Sequence, residues 1–338
     1  NIWKDKMKNL YLVSNDKIWS SKKNYTSNND LDSIISCLDK DYNIYILNRK
    51  SQKKLNFLIK SKFIFCNMKK IKEKKINLLM ISISPYNFFT FLRLIFINKA
   101  DVRGYVYLRS DGFLEYKYRY GIFGYYFYYL MFKFISQKLK ILSCSNYFTH
   151  VKVRNILHPS ELNSIWLKKK KINSDFKTDF LYVGRFKKDK GAFYLSKIFK
   201  DHLNNFKLTI VGTEKKLINY KYYSNNIKYL GSISNVKKLI KIYDTSKIFI
   251  LPSYIEGFPK VISESLSRLK PIIIFDDIKY VVNNRSGIFV CKRNISSLKK
   301  KIDFILRNYK SIQSKIKKNY FYTKDNFKKE LLSYIKNE

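Results

Sequence analysis

The stretch IFILPSYIEGFPKVISESL, residues 248–266, decides the fold. Ile248 to Leu251 form an apolar run that reads as a buried strand ending at Pro252. A loop follows from Ser253 to Gly257. Pro259 suits the first turn of a helix, where its missing N–H costs nothing. Gly257 lets backbone approach a ligand closely, and Glu264 falls in the helix's second turn. The chain has only eight glutamates, and two of them, Glu256 and Glu264, lie here. A strand, a loop and a helix in direct succession make the first part of a βαβ unit.

The same rhythm extends outward. Strand signals stand at FLYVG (180–184), KLTIVG (207–212), IKYLG (227–231), PIIIF (271–275) and GIFV (287–290). Helical-length segments fall between them at 191–201, 235–245 and 259–269. Most of these strands are continuously apolar, as strands buried on both faces of a parallel sheet should be. The first half repeats the pattern less sharply, with candidates at 10–13, 43–47, 62–66, 78–83, 105–108 and 141–144. The lysine-rich stretch 167–179 lacks periodicity and reads as a linker. The expectation is an α/β protein of two doubly wound, Rossmann-like domains facing a cleft. The first spans 1–166 and the second 180–318, and a C-terminal helix in 319–338 packs back toward the first. Ligands of open α/β sheets bind outside the C-terminal strand ends.

Composition sets outer bounds. The chain of 338 residues is long enough for two domains, and 46% hydrophobic residues can fill both cores. A net charge of +43 suggests nucleic acid, anionic lipid or an acidic substrate. Coding bias is the plainer explanation. Lys, Ile, Asn, Tyr and Phe abound, alanine occurs twice, and arginine, the better phosphate fork, is scarce. Cys37, Cys66, Cys144 and Cys291 form no CxxC, so buried reduced thiols of a cytosolic protein are expected rather than disulfides or zinc. His150, His158 and His202 show no metal-binding spacing. No signal-peptide pattern stands at the N-terminus, and residues preceding Asn1 are expected.

Two apolar runs require a membrane test. Residues 78–97 have the length of a span, but Pro85, Asn87 and Arg93 interrupt them, so they read as strand, turn and helix. GYYFYYLMFKFI, 124–135, is too short to span. Its tyrosines and Lys133 would suit a helix lying on an interface. A core-facing helix is the plainer reading in a chain that uses aromatics everywhere.

Chemistry concentrates at strand-to-helix junctions. In VGRFKKDKG, 183–191, Gly184 ends a strand, Arg185 follows, and Lys190 precedes Gly191 and a helix. Two cations beside a helix start suit a phosphate or diphosphate. Lysine is common here, so Arg185 is the more telling of the two. In the opening stretch, Glu264 can accept two hydroxyls of a sugar ring, and Glu256 can reach another part of the same ligand. Gly212 in LTIVGTE and Gly287 in NNRSGIFV also read as plain turn chemistry. At LRSDG, 108–112, Arg109 and Asp111 end a strand, but Asp-Gly is also a strong turn pair.

Together these residues resemble the retaining glycosyltransferases of family 4 (glycosyl transferases group 1), which have the two-domain GT-B fold. The resemblance rests on LYVGRFKKDKG, LTIVG, IKYLGSISN, IFILPSYIEGFPKVISESL, KPIII and RSGIFV, in order and spacing. It is strong over residues 178–291 and only an outline in the first domain. Glu256 and Glu264 match the family's E-x7-E pair.

The resemblance implies a sugar transfer, with retention, from a nucleotide-sugar to a hydroxyl of a glycan or lipid-linked glycan, in surface polysaccharide or lipopolysaccharide synthesis. Arg185 and Lys190 would hold the diphosphate and Glu256 the transferred sugar, with Glu264 on the ribose. Gly184, Gly212, Gly257 and Phe258 would complete the donor site. Arg109 and Asp111 would face the acceptor. The nucleotide-sugar is a co-substrate, and neither a resident cofactor nor a metal is expected. The setting implied is cytoplasmic, at the inner membrane face, where an anionic surface is a further partner; a specific nucleic acid is not expected.

This sequence departs from the family pattern in several places. Thr213-Glu214 stands where a second glycine is usual, and Ser267-Arg268-Leu269 where small residues and a glycine are. Lys279 lies near a position where many members carry a glutamate. SNDKIWSSKKNYTSN, 14–28, replaces the glycine-rich loop after the first strand. Two rival readings follow: a polyanion-binding protein without catalysis, and a folded but inactive pseudoenzyme.

Overall fold

The computed structural model of the chain describes residues 7–21, 24–27, 29–55, 57–68, 71–144, 155–159, 162–168, 176–213 and 218–336. The chain divides into two compact units. One comprises Asn1–Ser160 with Lys324–Glu338, the other Glu161–Thr323. The expected linker at 167–179 therefore starts inside the second unit, and its residues 169–175 lie outside the described residues, as does His150.

The first unit runs β1 (Lys8–Ser14), β2 (Lys17–Ser20), β3 (Tyr25–Ser27), α1 (Asn29–Leu38), β4 (Tyr42–Ile46), β5 (Arg49–Lys50), β6 (Phe57–Ile59), β7 (Ile64–Phe65), β8 (Lys75–Ile81), α2 (Pro85–Leu92), β9 (Asp101–Leu108), α3 (Gly112–Ser136), β10 (Lys140–Ser143) and β11 (Asn155–Ile156). Its main sheet is parallel, in the order β11-β10-β9-β8-β1-β4-β7. The strand order reverses between β1 and β8, as in a doubly wound fold. Central strands are buried almost throughout: Leu12, Val13, Met80 and Val106 have no exposed surface. A second, four-stranded sheet has the order β5-β2-β3-β6, and its β2 and β3 lie within the stretch 14–28. At the end of β1, Asn48 accepts from the Ser14 N–H at 2.8 Å and donates to the Ser14 hydroxyl at 2.7 Å.

The run 78–97 folds as strand, cap and helix. Ser84 caps α2 by accepting from the Asn87 N–H, and Pro85 opens the first turn. The run 124–135 packs one face on the core, burying Tyr128, Met131, Phe132 and Ile135. It belongs to α3, which Gly121 breaks at φ 65°, ψ −154°. Phe113 packs its ring 4.9 Å from Tyr128 and 5.3 Å from Phe132, and Tyr116 lies 5.1 Å from Tyr128. In a straight helix Phe113 and Phe132 would stand roughly 28 Å apart. Residues 112–120 and 122–136 are thus antiparallel limbs of a helical hairpin. The inner face buries Phe113, Tyr128, Met131 and Ile135, each worth about 1.5–3 kcal/mol on removal from water. The outer face stays exposed, so the helix is core-facing on one side only.

The second unit runs β12 (Thr178–Val183), α4 (Ala192–Asp201), β13 (Leu208–Val211), β14 (Ile227–Tyr229), α5 (Val236–Asp244), β15 (Ser246–Leu251), α6 (Lys260–Ser267), β16 (Ile272–Phe275), β17 (Ile288–Cys291), α7 (Ile295–Arg307) and α8 (Tyr309–Lys317). All six strands are parallel, ordered β14-β13-β12-β15-β16-β17. This is the 3-2-1-4-5-6 order of a doubly wound sheet, with its switch point between β12 and β15. Asn235 and Asn294 cap α5 and α7 through their side-chain oxygens. The four cysteines form no disulfide among the described residues; Cys37, Cys144 and Cys291 are buried, while Cys66 is half-buried rather than buried.

Candidate functional site

Ligands of such sheets sit at the switch point, outside the C-terminal strand ends. In the second unit, the register Leu181↔Phe249 brings the ends of β12 and β15 level. The loop after β12 carries Gly184, Arg185 and Lys190, and the loop after β15 carries Ser253, Glu256, Gly257 and Phe258. The two loops are laced together. The Tyr254 N–H donates to the Asp189 carbonyl at 3.0 Å. Gly191 sits at φ 65°, and a Cβ there would lie 1.9 Å from the Pro252 carbonyl oxygen. Only glycine fits so close a backbone approach.

The two groups that the sequence reading assigned to separate parts of a ligand meet directly. Lys190 Nζ lies 2.9 Å from Glu256 Oε1, with side chains 20% and 10% exposed. The buried Ser253 hydroxyl donates to the same oxygen at 2.6 Å. The pair is enclosed enough that removing Lys190 would leave a poorly compensated carboxylate. The Tyr280 hydroxyl accepts from the Glu256 N–H at 3.0 Å and donates to the Glu256 carbonyl at 2.6 Å. Glu256 is therefore fixed at both backbone and side chain.

Glu264 sits in the second turn of α6, as expected. Its Oε2 accepts from the Tyr243 hydroxyl at 2.8 Å. Burial raises its carboxyl above the usual range, while the Tyr243 hydrogen bond and nearby Lys260 oppose the rise. Pro259 is the extended residue just before α6 rather than its first turn. Arg185 is exposed; its carbonyl accepts from the Tyr182 hydroxyl at 2.9 Å. Burial, with Glu256 and Asp189 nearby, pushes the Tyr182 phenol well up. Gly212 ends β13 and donates to the Gly231 carbonyl at 2.7 Å. Phe258 lies under the Arg285 guanidinium, 5.8 Å from its ring centre.

Three supports went unread in the sequence. Arg293 donates to the Pro252 and Ser253 carbonyls at 3.0 Å each and pairs with Asp277 at 2.7 Å. Its guanidinium also lies 3.9 Å from the Tyr254 ring centre. Arg293, Tyr280 and Tyr243 hold the site from behind; the scarcity of arginine was the one signal that could have marked Arg293. Arg268, noted as a departure, turns away from the site. It is 1% exposed, binds Asp244 through both carboxylate oxygens at 2.8 Å, and donates to the Trp166 and Lys168 carbonyls.

In the first unit, Arg109 and Asp111 follow β9. Asp111 Oδ1 caps α3, accepting from the Phe113 N–H at 3.0 Å and the Leu114 N–H at 3.2 Å. Asp111 is thus the cap of a helix that begins at Gly112 rather than part of an Asp-Gly turn. Glu214 lies outside the described residues.

Two Rossmann-like units in one chain are the architecture of the GT-B fold. Residues 164–321 match the model of the family "Glycosyl transferases group 1". A glycosyltransferase of Haemophilus influenzae is 28% identical over 167 residues, 46% of this chain and 47% of that protein. The Campylobacter jejuni GalNAc-alpha-(1->4)-GalNAc-alpha-(1->3)-diNAcBac-PP-undecaprenol alpha-1,4-N-acetyl-D-galactosaminyltransferase is 27% identical over 168 residues, 46% and 42% of the two chains. The chain spans less than half the length of these curated relatives. Among solved structures, Anabaena HepE in complex with UDP superposes with a TM-score of 0.65 over 98% of this chain and all of that one, at 11% identity. That likeness concerns the fold alone.

Proposed function

We propose that this protein transfers a sugar from a nucleotide-sugar to a hydroxyl of a glycan or lipid-linked glycan, with retention. The observation that carries the proposal is the Lys190–Glu256–Ser253 cluster beside Arg185, set where a doubly wound sheet binds its ligand. Arg185 and Lys190 would meet the diphosphate, together with backbone N–H groups at the starts of α4 and α6. Glu264, oriented by Tyr243, would accept the ribose hydroxyls, and Glu256 would contact the transferred sugar. The similarity to a transferase acting on an undecaprenol-linked glycan supports a lipid-linked acceptor.

In the reaction, the bond from the sugar's anomeric carbon to the diphosphate oxygen breaks. A bond to the acceptor oxygen forms on the same face, and the acceptor proton passes to the departing diphosphate. Cations around that diphosphate would stabilise charge as it develops, and such electrostatic stabilisation supplies much of the acceleration in many enzymes. Ser253 holds the Glu256 carboxylate, and Tyr280 holds its backbone.

A panel of UDP-, GDP- and dTDP-sugars tests this, scored by thermal stabilisation and nucleotide release. One nucleobase should raise the melting temperature and yield free nucleotide. Arg185→Ala should cut turnover about 10²–10³-fold, the size expected for losing one stabilising donor. If no donor binds, and Arg185→Ala behaves as the parent does, the reading fails.

A further inference from the structure

One face of the first unit's main sheet stays open where its strands begin. The register Lys75↔Asp101 and Asn77↔Arg103 joins β8 to β9, and Lys140↔Tyr105 joins β10 to β9. Side chains alternate along a strand, so Lys75, Asn77, Asp101, Arg103, Tyr105 and Lys140 share this face. Further along the strands the C-terminal helix, Lys324–Lys336, covers it: the Tyr105 hydroxyl donates to the Tyr334 carbonyl, and Tyr107 packs on Phe327. Both faces of a parallel sheet are ordinarily covered. Here the first residues of the strands are bare, and Lys75, Asn77, Arg103 and Lys140 are exposed. With Lys138, from the loop between α3 and β10, they line a cavity of about 520 Å³. Asp101 is the only carboxylate on its wall among the described residues, and it pairs with Arg103 at 2.9 Å. Four cations around one acid make the cavity a basin of positive potential.

A second recess, of about 120 Å³, opens from the same face and shares Asn77 with the cavity. Its walls include Leu10, Tyr42, Leu79, Tyr105 and Ile335, all of them buried. The groove is thus cationic at one end and apolar at the other. An apolar cavity of roughly 150 Å³ holds a benzene ring. The recess therefore takes one compact group and is far too small for an acyl chain. Lysine ammonium groups meet phosphate as point charges and need no fixed fork geometry. We propose that this groove binds a soluble organic phosphate, its charged group among Lys75, Arg103, Lys138 and Lys140 and its compact apolar group in the recess beside Ile335. The donor-site residues all belong to the second unit, and Arg109 follows the opposite end of β9, roughly 20 Å from Arg103. A ligand here touches both β9 and Ile335, so its binding fastens the C-terminal helix to the sheet.

Phenyl phosphate and inorganic phosphate are the probes, titrated against the whole chain by calorimetry. Phenyl phosphate should bind about tenfold more tightly, because its ring leaves water for the recess. Lys75→Glu with Lys140→Glu should weaken both anions at least about tenfold. Both side chains are exposed, so circular dichroism should not change. Asn77→Phe puts a bulky side chain at the shared mouth. It should remove the advantage of the phenyl group and leave inorganic phosphate binding in place. Arg185→Ala with Lys190→Ala, at the donor site, should keep the binding of phenyl phosphate. Three outcomes overturn the proposal. One is equal binding by the parent and the Lys75, Lys140 variant. Another is phenyl phosphate held no more tightly than inorganic phosphate. The third is loss of binding in the Arg185, Lys190 variant, which would place the anion at the donor site instead.

Discussion

Glu264 shows how one side chain can serve function at the expense of stability. Burial raises its carboxyl, so the ionised form is costly in the fold. Between the ordinary carboxylate pKa and the raised one, the folded chain keeps a proton that the unfolded chain has lost. Its contribution to stability therefore falls as pH rises through that window and stays low above it. Glu264→Gln keeps an oxygen to accept from Tyr243 and removes the charge. It should melt higher than the parent near pH 8, with the gain fading as pH falls through that window toward the ordinary carboxylate pKa. Donor affinity should move oppositely, weakening about 10–100-fold on loss of charge-assisted hydrogen bonds. Melting curves and donor titrations at several pH values check both; a variant that melts lower at every pH would mean the carboxylate is structural. The two glutamates were legible because acids are scarce and the strand, loop and helix around them are distinctive. Their pairing partners were not. Lys190 was visible as a cation among many, yet its bond to Glu256 depends on register between β12 and β15. Arg293 follows β17 in CKRN, where no motif flags it.

At the scale of elements, the parallel strands were readable because burial on both faces makes them continuously apolar. The four-stranded sheet was not, since strands of two to four residues carry too little pattern. The α3 hairpin was hidden for another reason: a helical pattern continues on both sides of Gly121, and the reversal lies in one backbone conformation. A φ of 65° with ψ of −154° is essentially confined to glycine. A Cβ on Gly121 would meet no atom within 4 Å, so substitution acts through backbone strain and not through a clash. Gly121→Ala should destabilise the first unit by about 1–3 kcal/mol. Urea unfolding reads this as a lower midpoint with unchanged slope. Phe123→Ser, at the same tip, is the control and should leave the midpoint in place. A Gly121→Ala midpoint equal to the parent's would mean that the limbs reverse by some other backbone route. The end of α6 departs from the usual pattern in a related way. Leu269, the residue after the C-cap Arg268, is left-handed at φ 60°, where glycine is commonest, and its buried side chain offsets that strain.

For the molecule as a whole, the βα rhythm announced two Rossmann-like units, but the strand orders could not be read from rhythm alone. The chain leaves the first unit at Ser160 and returns to it at Lys324. The returning helix, Lys324–Lys336, buries Phe327, Leu331 and Ile335. Phe327 meets Tyr107 at 6.2 Å between ring centres, the Tyr105 hydroxyl donates to the Tyr334 carbonyl at 3.0 Å, and Lys336 pairs with Asp41 at 2.8 Å. The exposed ion pair adds little; the three apolar side chains contribute about 1.5–3 kcal/mol each as an upper bound. That sum is comparable with the roughly 5–15 kcal/mol that holds a whole domain folded. A chain ending at Thr323 keeps every residue of the second unit and removes this helix. The first unit should then open, seen as rapid proteolysis within residues 8–143. The donor nucleotide should still protect the second unit and raise its melting temperature, since Arg185, Lys190, Glu256 and Glu264 all belong to it. Proteolysis at the parent's rate would show that the helix only covers a first unit already complete. Loss of nucleotide protection together with cleavage of the first unit would show that the donor site depends on more than the second unit's own sheet.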